Sequence, residues 1–124
     1  MTSTGVTAAH ILNVGYEPTL LETRTLVLRS AGYAVESASS VEEAMQRFRG
    51  GHFDVVILCH SIPEQGRERL VWLIREHGSA TPVIFVSSRA ASADRFADIT
   101  IDNRPTGLVS AVEQLLSQKD AGNK

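Results

Sequence analysis

Cysteine and lysine are scarce in this chain of 124 residues, and each scarcity excludes a kind of chemistry. The single cysteine, Cys59, excludes an internal disulfide and a structural zinc site built from several cysteines. Lys119 and Lys124 are the only lysines, beside ten arginines. Chemistry that needs a lysine ammonium within the body of the fold is therefore excluded.

Long apolar runs and a strong excess of one charge are also missing. The longest apolar runs, such as Val55 to Cys59, are far too short to span a bilayer, and no pattern marks a secretory signal. The formal net charge of -2 argues against a dedicated nucleic-acid binder. The hydrophobic fraction of 43% is enough for the core of one domain. We expect a cytoplasmic single domain without direct contact with nucleic acid or membrane.

Short apolar segments alternate with helical patterns along the chain. The predicted strands are His10–Val14, Tyr33–Ala38, Val55–Cys59, Val83–Val86 and Ile99–Ile101. The uninterrupted apolar run at Val55–Cys59 is typical of a central strand buried on both faces. Five strand–helix repeats predict an α/β fold, a parallel sheet with helices on both faces.

Capping residues and turn residues mark where the helices begin and end. Pro18 suits the first turn of the first helix, which runs from Thr19 to Ala31 and is ended by Gly32. Ser40 and Glu43 form a capping box before the second helix, which stops at Gly50-Gly51. Further predicted features are a loop at Pro63 and Gly66, a third helix through Leu70 to Ile74 ending near Gly78, a weak helix over 88–96, and a last helix from Thr106. We predict a flexible leader at 1–9, the domain at 10–118 and a tail at 119–124.

In such folds, ligands and chemistry lie at the carboxyl ends of the strands. The residues at these ends are Gly15, Tyr16, Glu17, Cys59, His60, Ser61, Ser87, Ser88 and Arg104. They include a nucleophile, a histidine, hydroxyls and a guanidinium, but only one carboxylate, that of Glu17. Because one carboxylate rarely holds Mg²⁺, we predict no metal site and no cofactor.

Five segments of the chain carry a resemblance to a known family. They are His10-Ile-Leu-Asn-Val-Gly-Tyr-Glu-Pro18, Ala31-Gly-Tyr-Ala-Val35, Asp54-Val-Val-Ile-Leu-Cys-His-Ser-Ile-Pro63, Pro82-Val-Ile-Phe-Val-Ser-Ser88 and Arg104-Pro105. In this order they resemble the receiver domains of bacterial two-component response regulators, the chemotaxis-type (CheY-like) fold related to flavodoxin. The resemblance covers about His10 to Gln118 and implies a five-stranded parallel sheet of order 2-1-3-4-5.

The resemblance also implies where the chain departs from the family. Gly15 and Tyr16 stand at the positions of the Mg²⁺-binding acidic pair, Cys59 at that of the phosphoacceptor aspartate, and Arg104 at that of the lysine. Ser87 keeps the expected hydroxyl, and Pro105 is the candidate for a cis peptide bond. An aspartyl phosphate therefore cannot form by the family's mechanism. We expect the Tyr16 ring to fill part of the empty acidic pocket.

The function expected from the resemblance is that of an atypical, non-enzymatic receiver in a phosphorelay, acting by protein–protein contact. The implied partners are a histidine kinase, an output domain or a regulator, with a possible homodimer through the last strand and helix, Ala97 to Gln118, bordered by Arg89, Arg95 and Arg104. Two alternatives stay open at this point. One is a thiol or redox sensor using Cys59, although a buried thiol is usually inert. The other, which we rank last, is a small flavodoxin-like cofactor binder.

Overall fold

The computed structural model describes residues 9–77, 80–87, 97–101 and 105–122, with the backbone alone at 105, 106 and 118–122. Five parallel strands form one sheet of order β2-β1-β3-β4-β5, which confirms the predicted fold. The strands are β1 (His10–Val14), β2 (Ala34–Ala38), β3 (Val55–Cys59), β4 (Val83–Val86) and β5 (Ile99–Ile101). β2 begins one residue later than predicted because the Tyr33 backbone N–H donates to the Leu28 carbonyl at 3.2 Å and so closes the preceding helix.

Four helices are described: α1 (Pro18–Ser30), α2 (Val41–Gly50), α3 (Glu64–Glu76) and α4 (Pro105–Gly122). Gly32 ends α1 as predicted, with a φ of 98° that suits glycine. α4 extends past the predicted boundary at 118 because Lys119, Asp120 and Ala121 do not break a helix. The predicted weak helix over 88–96 and residues 1–8 of the predicted leader at 1–9 lie outside the described residues. Among the helices that the structure describes, none has the length and apolar character to cross a membrane.

Ser40 caps α2 as predicted, but the second bond of the capping box differs. The Ser40 hydroxyl accepts from the Glu43 backbone N–H at 3.0 Å. The Glu43 carboxylate in turn accepts from the backbone N–H of Ser39 at 2.8 Å. The reciprocal bond has thus moved one residue toward the amino terminus, and the start of α2 keeps two satisfied donors.

The sheet separates two apolar cores. One core lies between the sheet and the helices α2 and α3, and it includes Leu12, Leu58 and Phe85. The other lies on the opposite face, where Ile57 and Ile84 pack with α4 and with Leu28 of α1. All five β3 residues are buried, as the apolar run predicts for a central strand. This two-layer burial fixes the positions at which the strands end.

Gly66 is helical and lies in the first turn of α3, so the loop predicted at this residue is wrong. A Cβ at Gly66 would stand 2.9 Å from Val41 Cγ2 and 3.2 Å from Ile62 Cγ2. The start of α3 therefore approaches the start of α2 too closely for any side chain. This contact explains a glycine where helix propensity alone disfavours one.

Gly66→Ala should lower the free energy of unfolding by about 1–3 kcal/mol, because the added methyl overpacks the contact with Val41. Gly50→Ala is the matched control, since Gly50 is also helical and a Cβ there would meet nothing within 4 Å. That control should be neutral or stabilising by up to about 1 kcal/mol. Urea unfolding of both variants is the measurement. Equal stability changes at the two sites would contradict the packing explanation.

Candidate functional site

The carboxyl ends of β1 and β3 bring two of the predicted site residues into contact. Gly15 follows β1, and Cys59 ends β3. A Cβ at Gly15 would lie only 3.0 Å from Cys59 Cβ, so the two backbones approach closely. Cys59 also pairs in register with Val86 of β4, and Ser87 directly follows that strand. Ser87 is buried, and its backbone N–H donates to the Ile101 carbonyl at 2.8 Å.

The side chain that donates to Cys59 is the guanidinium of Arg24, from the second turn of α1. Arg24 Nη1 lies 2.9 Å from Cys59 Sγ. The exposed fractions of the two residues are 6% for Arg24 and 1% for Cys59. The site therefore contains a buried cation that the sequence analysis did not single out.

A sequence signal for Arg24 is present in the spacing of the α1 residues. Leu21, Arg24, Thr25 and Leu28 follow the i, i+3, i+4, i+7 pattern of one helix face, and all four are buried. An arginine at such a position needs a polar partner in the fold, since burying an unpaired charge is costly. The spacing places the guanidinium on the buried face of α1, but it does not say which strand residue it meets.

Ser61 is the second polar neighbour of the Cys59 thiol. Burial raises the pKa of this thiol, but hydrogen bonds from the Ser61 hydroxyl and backbone N–H, together with the Arg24 guanidinium, outweigh burial and lower it. A lowered pKa means that the protein stabilises the thiolate relative to the thiol. When the thiol ionises, the thiolate and the Arg24 guanidinium form a buried ion pair.

Ser61 also connects Cys59 to the loop that follows β1. Its hydroxyl oxygen accepts from the Tyr16 backbone N–H at 2.9 Å. The Tyr16 side chain is 42% exposed, and its hydroxyl lies 3.8 Å from the position of a Cβ on Gly66. The Tyr16 hydroxyl thus reaches toward the start of α3, and the filling of part of the acidic pocket by the ring stays a prediction. The donors to Cys59 come instead from α1, through Arg24, and from the loop after β3, through Ser61.

Buried hydrogen bonds fix α1 against the sheet beside this site. The Asn13 Nδ2 amide in β1 donates to the Leu21 carbonyl at 3.2 Å and to Thr25 Oγ1 at 3.1 Å. Thr25 Oγ1 and Ser37 Oγ of β2 are 2.7 Å apart. Asn13 was not among the predicted site residues, because it is a polar residue within the largely apolar strand β1. These bonds hold the helix turn that carries Arg24 at a fixed position over the strand ends.

The carboxyl edge of the sheet, where β1 and β3 end, has poor ligands for a divalent cation. Glu17 is committed to the start of α1, where its Oε1 accepts from the Thr19 backbone N–H at 3.3 Å. Within the described residues, no group of three His, Cys, Asp or Glu side chains could hold a metal ion. A hard cation such as Mg²⁺ needs oxygen ligands, mainly carboxylates, and here it would meet a guanidinium instead. The residues present at this edge do not fit the Mg²⁺ that the family resemblance implies.

His60 follows Cys59 in the chain, and the positive charge of Arg24 acts on it as well. Burial, and secondly the positive charge of Arg24, lower the pKa of His60. Both causes favour the neutral imidazole.

Several predicted residues lie outside the described residues. They are Ser88, Arg89, Arg95 and Arg104, and with Arg104 the predicted cis bond to Pro105. The backbone of Pro105 begins α4. The roles of Arg104 and Pro105 therefore stay predictions.

Sequence and structure comparisons agree on the relatives of this fold. The model of the family "Response regulator receiver domain" matches residues 11–104. The transcriptional regulatory protein BasR of Escherichia coli is 26% identical over 91 residues, which are 73% of this chain and 41% of BasR. The chain thus spans about two fifths of that relative's length.

Two solved structures are similar over nearly their whole length. The response regulator TrrA of Thermotoga maritima, in complex with Mg²⁺-BeF, is 25% identical with a TM-score of 0.76, over 86% of this chain and 98% of TrrA. A putative response regulator of Chloroflexus aurantiacus is 27% identical with a TM-score of 0.77, over 90% and 99% of the two chains. The family model covers most of the strand–helix order described above, and the chain belongs to the response regulator receiver domain family.

Proposed function

We propose that this receiver domain of two-component signalling acts through protein contacts without aspartyl phosphorylation. The observation that carries the proposal is the 2.9 Å contact between Arg24 Nη1 and Cys59 Sγ. In the proposed correspondence, Cys59 occupies the phosphoacceptor position, and Gly15 and Tyr16 occupy the acidic pair. The site then has a thiol in place of the acceptor carboxylate and a guanidinium in place of the metal.

Electrostatics supports this proposal independently of the missing carboxylates. A divalent cation about 4 Å from a guanidinium is repelled by roughly 8 kcal/mol at an effective dielectric constant of 20. Arg24 is buried, so solvent screens its charge poorly. Phosphoryl transfer depends on neutralising the charge of the phosphoryl oxygens in the right geometry, and metal ions usually do this. A single guanidinium that donates to Cys59 is not arranged for that task.

The partners follow from the family and remain part of the proposal. A receiver without its own chemistry acts on a histidine kinase, an output domain or another regulator by offering a surface of fixed shape. The proposed surface is the last strand and last helix, from Ala97 to Gln118, which could also form a homodimer. Because the chain spans only part of its curated relatives, its output function is not inherited from their names.

A thiol sensor using Cys59 is the second candidate, and one observation favours it: the lowered pKa of the thiol. Its weakness is access, since the residue is only 1% exposed and its sulfur is held between Arg24 and Ser61. Reactive cysteines combine thiolate character with exposure. The flavodoxin-like cofactor binder has no supporting contact among the described residues and ranks below both.

Cys59→Asp alone should not restore phosphorylation. The new carboxylate would pair with Arg24, and Mg²⁺ would still lack the acidic pair. Adding Gly15→Asp and Tyr16→Asp should give at least weak Mg²⁺ binding, although the side chain at residue 15 must push against residue 59. The measurement is intact mass after incubation with Mg²⁺ and a small phosphoramidate donor.

A receiver domain that retains all three carboxylates serves as the control for the phosphodonor. A robust phosphoryl adduct on the wild-type chain, or on residue 59 of the single variant, would contradict the proposal. The adduct must be located by peptide mapping, so that modification of a histidine is not mistaken for it.

The ion pair also predicts how stability depends on pH. A thiol whose pKa is lower in the folded state than in the unfolded state releases its proton more readily when folded. Its contribution is therefore fully present above the unfolded pKa, about 8.5, and is lost as the pH falls through the folded pKa. The free energy of unfolding of the wild type, minus that of Cys59→Ser, should rise with pH toward about 8.5 and then level off.

Urea unfolding at a series of pH values between neutral and mildly alkaline measures this difference. Serine keeps a hydrogen-bonding side chain that does not ionise in this range, so the other titrating groups cancel. A difference that stays constant, or that falls as the pH rises, would show that the thiolate is not stabilised by the fold.

A further inference from the structure

The outward face of α3 carries an unusual ridge that belongs neither to the candidate site nor to the proposed partner surface. Glu68, Trp72 and Glu76 are spaced i, i+4, i+8, so they lie in one row along the helix. Trp72 is the only tryptophan of the chain, and it is 59% exposed. The buried residues of α3 point the other way; they are Leu70, Val71, Leu73 and Ile74. Trp72 therefore projects into solvent from the side opposite the core.

The three arginines of α3 do not neutralise this ridge, because each contacts another part of the protein. The Arg67 guanidinium lies over the Phe85 ring, 4.4 Å from its centroid. Arg69 Nη1 lies 3.7 Å from Glu42 Oε2 of α2. Arg75 donates to the Thr81 carbonyl at 2.9 Å and to Asp98 Oδ2 at 3.3 Å.

The carboxylates on either side of Trp72 are those of Glu68 and Glu76. In the part of the chain that the structure describes, neither Glu68 nor Glu76 takes part in an ion pair. The ridge thus combines a large exposed aromatic side chain with two uncompensated negative charges. Along the helix, the apolar Trp72 side chain is therefore flanked by one carboxylate on each side.

We infer that the ridge formed by Glu68, Trp72 and Glu76 is a docking surface for a basic protein segment that offers an apolar slot between Lys or Arg side chains. Tryptophan is enriched at the centre of protein interfaces because it buries a large area with few rotatable bonds. The flanking carboxylates select the partner's charge, since a like charge opposite them would be repelled. The same charges disfavour an anionic lipid surface, so the occupant is a protein segment.

This inference goes beyond the proposed function, and it does not depend on Cys59, Arg24 or the last helix. Failure of the phosphorylation experiment would leave the ridge untouched. Loss of binding at the ridge would equally leave the state of Cys59 unchanged. The two proposals can therefore be overturned separately.

The test uses two designed amphipathic helical peptides that lack tryptophan and share one leucine stripe. One peptide carries arginines beside the stripe, and the other carries glutamates at the same positions. The basic peptide should bind with a shift of Trp72 emission to shorter wavelength, and the acidic peptide should not bind. Anisotropy of a dye-labelled basic peptide should show binding weakened by at least about tenfold in Trp72→Ala.

Charge reversal on the ridge tests the proposed complementarity. Glu68→Lys with Glu76→Lys should weaken the binding of the basic peptide and allow the acidic peptide to bind. Glu22→Lys with Ser30→Lys and Gln46→Lys is the matched control, because all three residues are exposed, lie on α1 and α2 outside the proposed partner surface, and together give the same change of net charge. That control should keep most of the affinity for the basic peptide.

Three results would overturn the inference. The first is an equal loss of affinity in the control variant, which would mean binding by net charge alone. The second is an unchanged Trp72 emission with the basic peptide, or full binding by Trp72→Ala. The third is a dimer in sedimentation experiments that Trp72→Ala dissociates, because a second copy of this chain would then cover the ridge.

Discussion

The chemistry of this receiver domain depends on how one buried guanidinium is satisfied. An arginine on the inner face of a helix must find hydrogen-bond acceptors, because an unpaired buried charge costs several kcal/mol. Arg24 meets the sulfur of Cys59 at the end of the central strand. The sulfur is also bonded by Ser61, whose hydroxyl in turn accepts from the Tyr16 backbone. One helix, one strand and two loops are therefore tied together through a charge that the protein supplies itself.

This arrangement is compatible with an ordinary receiver fold because the fold is stabilised by residues away from the strand ends. The strand order and the two apolar cores rest on side chains such as Leu12, Ile57 and Phe85, away from the strand ends. Residues at the carboxyl edge can then change their chemistry without loss of the sheet. We propose that such a change has replaced a metal-dependent anionic site with a closed thiolate–guanidinium pair. The surface would then be the functional part of the molecule.

Much of the fold could be predicted from local patterns, whereas the contacts of the site could not. The strand Val55–Cys59 and the cap at Ser40 follow from neighbouring residues alone, and both are confirmed. Gly66 was misjudged because its role is a close approach between two helices, which no local pattern reports. Arg24 shows the same limit more clearly. Its spacing places it on a buried face, but its partner lies 35 positions along the chain.

A double-mutant cycle between Arg24 and Cys59 tests the central claim most directly. Cys59→Ala is introduced into the wild type and into Arg24→Met, and the free energy of unfolding is measured in urea for all four proteins. The cavity left by alanine is common to both backgrounds and cancels. If the guanidinium and the thiolate form a pair, Cys59→Ala should cost about 1.5–3 kcal/mol more in the wild type than in Arg24→Met. Equal losses in the two backgrounds, within about 0.5 kcal/mol, would contradict it.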